Sequence, residues 1–224
     1  MGTSNSMRWA RLALVAVSTA TVLLAGVPAR AEMATDGSTP PGLRGSPWPA
    51  AGARALSHAR QALAGQPSAS AQGIDCWRDV SIFPYANRNF VSAEMGYSGG
   101  SYGMLRARAT TIGPSERFMV CRDTSTGLTI LVSQANEKLV STEIRYSGGS
   151  YGMLRARANI VGPCELYYTS APPNVRFTYL RANANGHYVS AEIGYSGNSH
   201  GMLRARAAVV GASELYYWYG TKWA

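Results

Sequence analysis

Gly103-Met104-Leu105-Arg106-Ala107-Arg108-Ala109 stands unchanged at Gly152 to Ala158 and again at Gly201 to Ala207, each copy 49 residues after the last. Working outward, Phe90-Val91-Ser92-Ala93-Glu94 returns as Leu139-Val140-Ser141-Thr142-Glu143 and as Tyr188-Val189-Ser190-Ala191-Glu192. Residues 78–126, 127–175 and 176–224 are therefore one unit written three times without a gap. Eighteen of its 49 columns are identical in all three copies, enough to imply one shared backbone. A unit this short cannot bury its own apolar face, so neighbouring copies bury it for one another, and three copies point to a closed three-fold body.

Each copy reads as four strands. In the third, Arg176-Phe177-Thr178-Tyr179-Leu180-Arg181 is β-branched and aromatic, Asn185-Gly186 is a hairpin signal, and Tyr188–Ile193, Met202–Val210 and Glu214–Tyr219 follow. Val91, Ala93 and Met95 share one parity, and Leu105, Ala107 and Ala109 another, so a hairpin of these two strands sets apolar against apolar. Glu94 then faces Arg106 or Arg108 on the outer face; Glu143 with Arg155 or Arg157, and Glu192 with Arg204 or Arg206, repeat the pair. Tyr97 and Tyr102 flank Ser98-Gly99-Gly100-Ser101 at an odd separation, which requires a wide loop or a bulge in the connection.

The rest of the chain is of other kinds. Arg8 and Arg11 precede an apolar run from Leu12 to Val27, and Ala29-Arg30-Ala31 is a small-x-small cleavage site, so residues 1–31 read as a secretory signal peptide and the protein as secreted. An uncleaved anchor is the alternative. The run is short for a span and diluted by Ser18, Thr19 and Thr21, and no other stretch could cross a bilayer. Residues 32–73, rich in Ala, Gly, Pro and Ser, read as a disordered linker or pro-segment, with helix-forming composition at Ala53 to Ala64. Residues 74–224 make one domain with room for a real core.

The formal charge of +9 overstates the basicity of the working protein. Residues 1–31 hold Arg8, Arg11 and Arg30 and no acid, which leaves 18 basic against 12 acidic residues, six of the arginines belonging to the repeated Arg-Ala-Arg. Nucleic-acid binding calls for an unpaired basic stripe, and the sequence shows none. Attraction to an acidic polysaccharide or a cell envelope fits the balance.

Asn185-Gly186-His187-Tyr188-Val189-Ser190-Ala191-Glu192 resembles the Asn-Gly-x-Tyr-Val-x-Ala-Glu signature of the fascin-like β-trefoils, the actin-crosslinking fold, in its secreted bacterial type. Gly113-Pro114-Ser115-Glu116 resembles that family's Gly-Pro-Trp-Glu turn. The resemblance covers all three copies. It implies an all-β fold, a β-trefoil of three 49-residue repeats of four strands each, pseudo-three-fold symmetric, with a six-stranded barrel capped by three hairpins. Two features depart from the pattern: Ser115, Cys164 and Ser213 replace the tryptophan of the turn, and only copy three keeps Asn-Gly, which alters turn geometry. The Gln-x-Trp motif of ricin-type trefoils is absent, so that sugar site does not carry over.

In such a closed trefoil Cys76, just before the first strand of copy one, adjoins Cys121 at the end of its last strand. Their disulfide would leave Cys164 free; three reduced cysteines are the alternative.

Catalysis is not supported. His187 and His200 align with unlike residues in the other copies, no spacing suits a metal or a triad, and a three-fold repeat sets like groups far apart, whereas glycoside hydrolysis needs carboxylates roughly 5–9.5 Å apart. The expectation is no enzyme, no cofactor and no metal. Glu116, Glu165 and Glu214 read as turn residues tying a strand end. The stronger candidate is the Gly/Ser loop with its aromatic pair in each copy: Tyr97 and Tyr102, Tyr146 and Tyr151, Tyr195 and His200. Such rings suit stacking on sugars, with plugging of the barrel end as the structural alternative. The sequence thus points to a secreted, lectin-like module for a polysaccharide or cell-envelope glycan, with up to three equivalent sites. A protein-binding module for actin or an envelope protein, and a secreted inhibitor or structural envelope protein, are the alternatives.

Overall fold

Residues of one parity along the repeated strands meet in a single core, and the chain wraps a sheet around it. The computed structural model describes residues 50–65, 73–175 and 177–222. The signal-peptide expectation for residues 1–31 lies outside the described residues, as does much of the 32–73 segment. After a helix α1 (Ala50–Ala64) come β1 (Ile74–Pro84), β2 (Phe90–Glu94), β3 (Met104–Ala109), β4 (Phe118–Asp123), β5 (Leu128–Ser133) and β6 (Leu139–Glu143). They are followed by β7 (Met153–Ala158), β8 (Tyr167–Thr169), β9 (Leu180–Ala182), β10 (Tyr188–Glu192), β11 (Met202–Ala207) and β12 (Tyr216–Lys222).

The all-β reading is what the structure shows, but three equal four-stranded lobes around a six-stranded barrel are not. Pairing runs β5–β6–β7–β3–β11–β10–β9–β8, and β8 returns to β5 through Leu128↔Tyr168 and Thr129↔Tyr167, which closes an eight-stranded antiparallel ring. Copy one gives this ring only β3, copy two gives β5 to β8, and copy three gives β9 to β11. Four strands lie outside it: β4, β1 and β12 extend from β5, and β2 pairs with β3. The inequality has a local cause. Asp79 sits at φ 53° in a bulge of the eleven-residue β1, which pairs with β4 on one side and β12 on the other. Its counterpart β9 has three residues, and among the described residues upstream Thr178 alone bridges to Tyr216. Of the expected Arg176–Arg181 strand, Arg176 lies outside the described residues, and β9 holds Leu180 and Arg181.

The core follows the predicted parity. Val91, Ala93, Leu105, Ala107 and their equivalents in the other copies pack with Phe118, Tyr167 and Tyr216, which occupy one column of the repeat. Burial pushes the Tyr167 and Tyr216 phenols well up, so both stay neutral. The Tyr216 hydroxyl donates to the Val189 carbonyl at 3.1 Å.

A second layer covers one side. β4 and β5 are apolar on both parities, the mark of a strand buried on both faces. Met119, Cys121, Ile130 and Val132 turn outward, and Ala59 and Leu63 of α1 pack over them. The helix-forming composition at Ala53 to Ala64 thus falls within α1, which packs on this face. Beneath it Cys76 and Cys121, opposite each other in the β1–β4 ladder, form a disulfide with Cα atoms 4.1 Å apart, and Cys164 is free. Cys76 lies inside β1 rather than before it.

The turns before β2, β6 and β10 keep one geometry. Asn87, Asn136 and Asn185 donate through Nδ2 to the carbonyls of Ala107, Ala156 and Ala205 at 2.7–2.8 Å. The next residue is left-handed in every copy, whether Arg88, Glu137 or Gly186. Loss of Asn-Gly in two copies was expected to alter the turn; the asparagine side chain holds it instead.

Candidate functional site

Each repeated hairpin ends in a 3-10 turn, at Gly99–Ser101, Gly148–Ser150 and Gly197–Ser199. Gly103, Gly152 and Gly201 close the hairpins, their amides donating to the carbonyls of Glu94, Glu143 and Glu192 at 2.9–3.0 Å. Of the wide loop or bulge expected in the connection, the wide loop is what forms, between Glu94 and Met104 and their equivalents; a separate bulge lies at the opposite end of each hairpin, between Phe90 and Val91 and its equivalents.

The three closing glycines bring the loops together. Ala156 donates to the Gly103 carbonyl, Ala205 to that of Gly152 and Ala107 to that of Gly201, at 2.6–2.7 Å, so each copy grips the next in a cycle. On this side of the strands Met104, Met153 and Met202 form their own buried cluster.

Arg106, Arg155 and Arg204 surround that cluster, and they are not the outer-face partners the sequence suggested. They are 1%, 3% and 5% exposed. Arg155 donates from Nε to the Tyr102 carbonyl (2.9 Å) and from Nη2 to that of Gly99 (2.8 Å), both in the loop of copy one. Arg204 holds Tyr151 and Gly148 in the loop of copy two the same way, and Arg106 holds His200 and Gly197 in that of copy three. The first arginine of each Arg-Ala-Arg is a clamp on a loop of another copy.

The glutamates bind the second arginine. Glu94 takes a two-pronged contact from Arg108, with both bonds 2.6 Å, and Glu143–Arg157 and Glu192–Arg206 repeat it. The hydrogen bond to the carboxylate raises the pKa of each of these three arginines, so the guanidinium groups stay charged. Their guanidinium sides are 42–45% exposed, which limits each pair to about 1 kcal/mol. Glu116, Glu165 and Glu214 accept the amides of Gly113, Gly162 and Gly211 at 2.7–2.8 Å and tie those turns.

Against this frame the six aromatic candidates take unequal places. Tyr97 and Tyr146 are anchored by their hydroxyls, which accept from Nη1 of Arg106 and Arg155 at 3.2 Å. Tyr195 instead has its hydroxyl 3.4 Å from Arg206 Nη2, with the Arg206 guanidinium 5.7 Å from its ring centre. Tyr102, Tyr151 and His200 contribute backbone carbonyls to the clamps, and among the described residues the one hydrogen bond from their rings is a His200 Nδ1 contact to the Tyr195 carbonyl at 2.9 Å. Tyr102, Tyr146 and Tyr195 are exposed and the other three half-buried.

The clamps escaped the sequence reading although a signal was present: each repeated hairpin offers two arginines of one parity and a single glutamate. One arginine per copy had to find another acceptor. Replacing Arg155 by methionine is expected to cost about 3 kcal/mol, since two loop carbonyls and a phenol lose a charged donor. Hydrogen exchange should quicken at Tyr102 and Gly103, in copy one, rather than beside the substitution.

Among the described residues no group of His, Cys, Asp and Glu is placed to hold a metal, and no helix is long and apolar enough to cross a membrane. No protein-family model matches the chain, and no curated protein matches it in sequence.

The fold has solved counterparts. It is similar to ThreeFoil, a designed 3-fold symmetric protein, with a TM-score of 0.51 and 11% identity over 66% of this chain and 98% of that one. A Caenorhabditis elegans protein with unknown function gives 0.53 and 8% over 70% and 98%, and an exo-β-1,3-galactanase from Clostridium thermocellum gives 0.52 and 8% over 65% and 30%. The chain thus spans less than a third of the galactanase. These likenesses are of fold, and the fold is β-trefoil-like with its strands unequally shared among the copies.

Proposed function

We propose that this chain is a secreted, non-catalytic, lectin-like module of the fascin-like type, which binds a polysaccharide or cell-envelope glycan through the aromatic loops of its three copies. The observation that carries the reading is the rigid seating of those loops. Buried arginines hold their backbones from behind, so rings are presented at fixed spacing, and a preorganised aromatic platform binds sugar faces with little ordering cost. Because every clamp joins two copies, the loops act as one linked surface, and a polymer contacting several of them gains by avidity.

The clamps engage the carbonyls of Tyr102, Tyr151 and His200 rather than their rings, so truncating the rings leaves the clamps intact. The triple variant Tyr102→Ala, Tyr151→Ala, His200→Ala should lose retention on insoluble polysaccharide by about a hundredfold or more with unchanged circular dichroism and melting temperature. Full retention in the folded variant would move the site elsewhere, and unfolding would make the rings plugs. Co-sedimentation with actin and no retention on any polysaccharide would favour the protein-binding alternative.

A further inference from the structure

Copy three departs from its sisters at the clamp itself. In copies one and two the third corner of the buried guanidinium, Nη1, is capped by a tyrosine hydroxyl at 3.2 Å. Arg204 makes the Nε and Nη2 bonds, both 3.0 Å, but among the described residues its Nη1 has no partner. The tyrosine that would cap it, Tyr195, has its hydroxyl on Arg206 and is 45% exposed. Loop three also differs in sequence, with Asn198 and His200 where the other loops have glycine and tyrosine.

The charge of Arg204 is likewise unanswered. Its two bonded partners are neutral carbonyls, and the nearby Glu192 is held two-pronged by Arg206. In copy two Glu143 comes within 4.0 Å of Arg155 Nη1, whereas no carboxylate lies within that distance of Arg204 among the described residues. A largely buried guanidinium whose one unbonded donor still reaches solvent, with no acid within salt-bridge distance, favours an anionic oxygen over a neutral one. The sister copies show where that oxygen sits, at the place of the Tyr97 and Tyr146 hydroxyls.

We infer that loop three is a carboxylate-reading subsite, in which Arg204 Nη1 donates to the carboxylate of an acidic sugar while the Tyr195 ring lies along the same residue. This inference rests on the glycan-binding reading above and names its ligand class: a uronic-acid-bearing polysaccharide. Copies one and two, with their guanidinium corners already capped, take sugars without regard to charge.

The test titrates the full chain with a soluble oligogalacturonide and with its carboxyl-reduced counterpart, following affinity and the side-chain guanidinium nitrogen resonances. The acidic oligomer should bind at least tenfold tighter, and the Arg204 resonance should shift while those of Arg106 and Arg155 stay. Deleting Arg204 would also release loop two, so the second arm rewrites loop three instead. Asn198→Gly with His200→Tyr gives it the Ser-Gly-Gly-Ser-Tyr sequence that folds twice in this chain, and the acid-over-neutral ratio should fall to about one. Equal affinity for the two oligomers, equal shifts at all three arginines, or a ratio that survives the rewritten loop would overturn the subsite while leaving glycan binding standing. Binding of neither oligomer, nor of insoluble polysaccharide, would overturn both.

Discussion

Alanine at Gly152 should lower stability by about 3–4 kcal/mol, whereas alanine three residues earlier at Gly149 should be nearly silent. Gly152 has φ 74°, and a Cβ there would stand 2.6 Å from the Ala205 carbonyl oxygen, a backbone atom of the next copy. The left-handed conformation costs a residue with a Cβ about 1–2 kcal/mol, and forcing apart packed backbone adds about 1–3. That oxygen also accepts from Asn185, so displacing it disturbs the turn before β10 as well. Gly149 has nothing within 4 Å of its would-be Cβ. For a domain of this size the difference corresponds to roughly 10 °C in melting temperature, easily read by calorimetry. Equal melting of the two variants would mean that the close crossing of copies is absent in solution.

Removing the Cys76–Cys121 disulfide, as the double alanine variant, should cost about 4 kcal/mol on the chain-entropy estimate for a loop of 45 residues. The effect should be amplified under α1, because the bonded pair lies in the apolar layer that Ala59 and Leu63 cover. Cys164→Ala should cost far less. Partial burial, then the nearby Glu165, pushes the Cys164 thiol up, so it stays protonated near neutral pH and should alkylate slowly. Peptide mapping without reductant checks the pairing; a cross-link from Cys164 to either partner would contradict the β1–β4 register.

The repeat and its parity made the strands and the core legible before any coordinates. Val91, Leu105 and Ala107 fell on the buried face as alternation required. The partition of strands did not follow, because the sheet's closure turns on how long β1 and β9 run, and those lengths depend on a left-handed Asp79 and on the early exit of Phe177 and Tyr179. Nor did charge alternation distinguish Arg106 from Arg108. Both share one face of β3, yet one is covered by a loop from copy three, a contact 91 residues away in sequence that no local pattern encodes. The aromatic columns were visible, but not that Tyr195 leaves its arginine while Tyr97 and Tyr146 hold theirs. The second apolar parity of β4 and β5 was also present in the sequence, and it marks a face that needs cover without saying what covers it.

The cycle of clamps ties together the history of the three copies. An arginine in copy two is judged by the loop of copy one, and that in copy three by the loop of copy two, so a substitution in any single copy meets a neighbour still shaped for the old residue. Drift in one copy is corrected by the others. The columns that cross between copies, the closing glycine, the methionine, the first arginine and the alanine after it, are letter-for-letter the same three times.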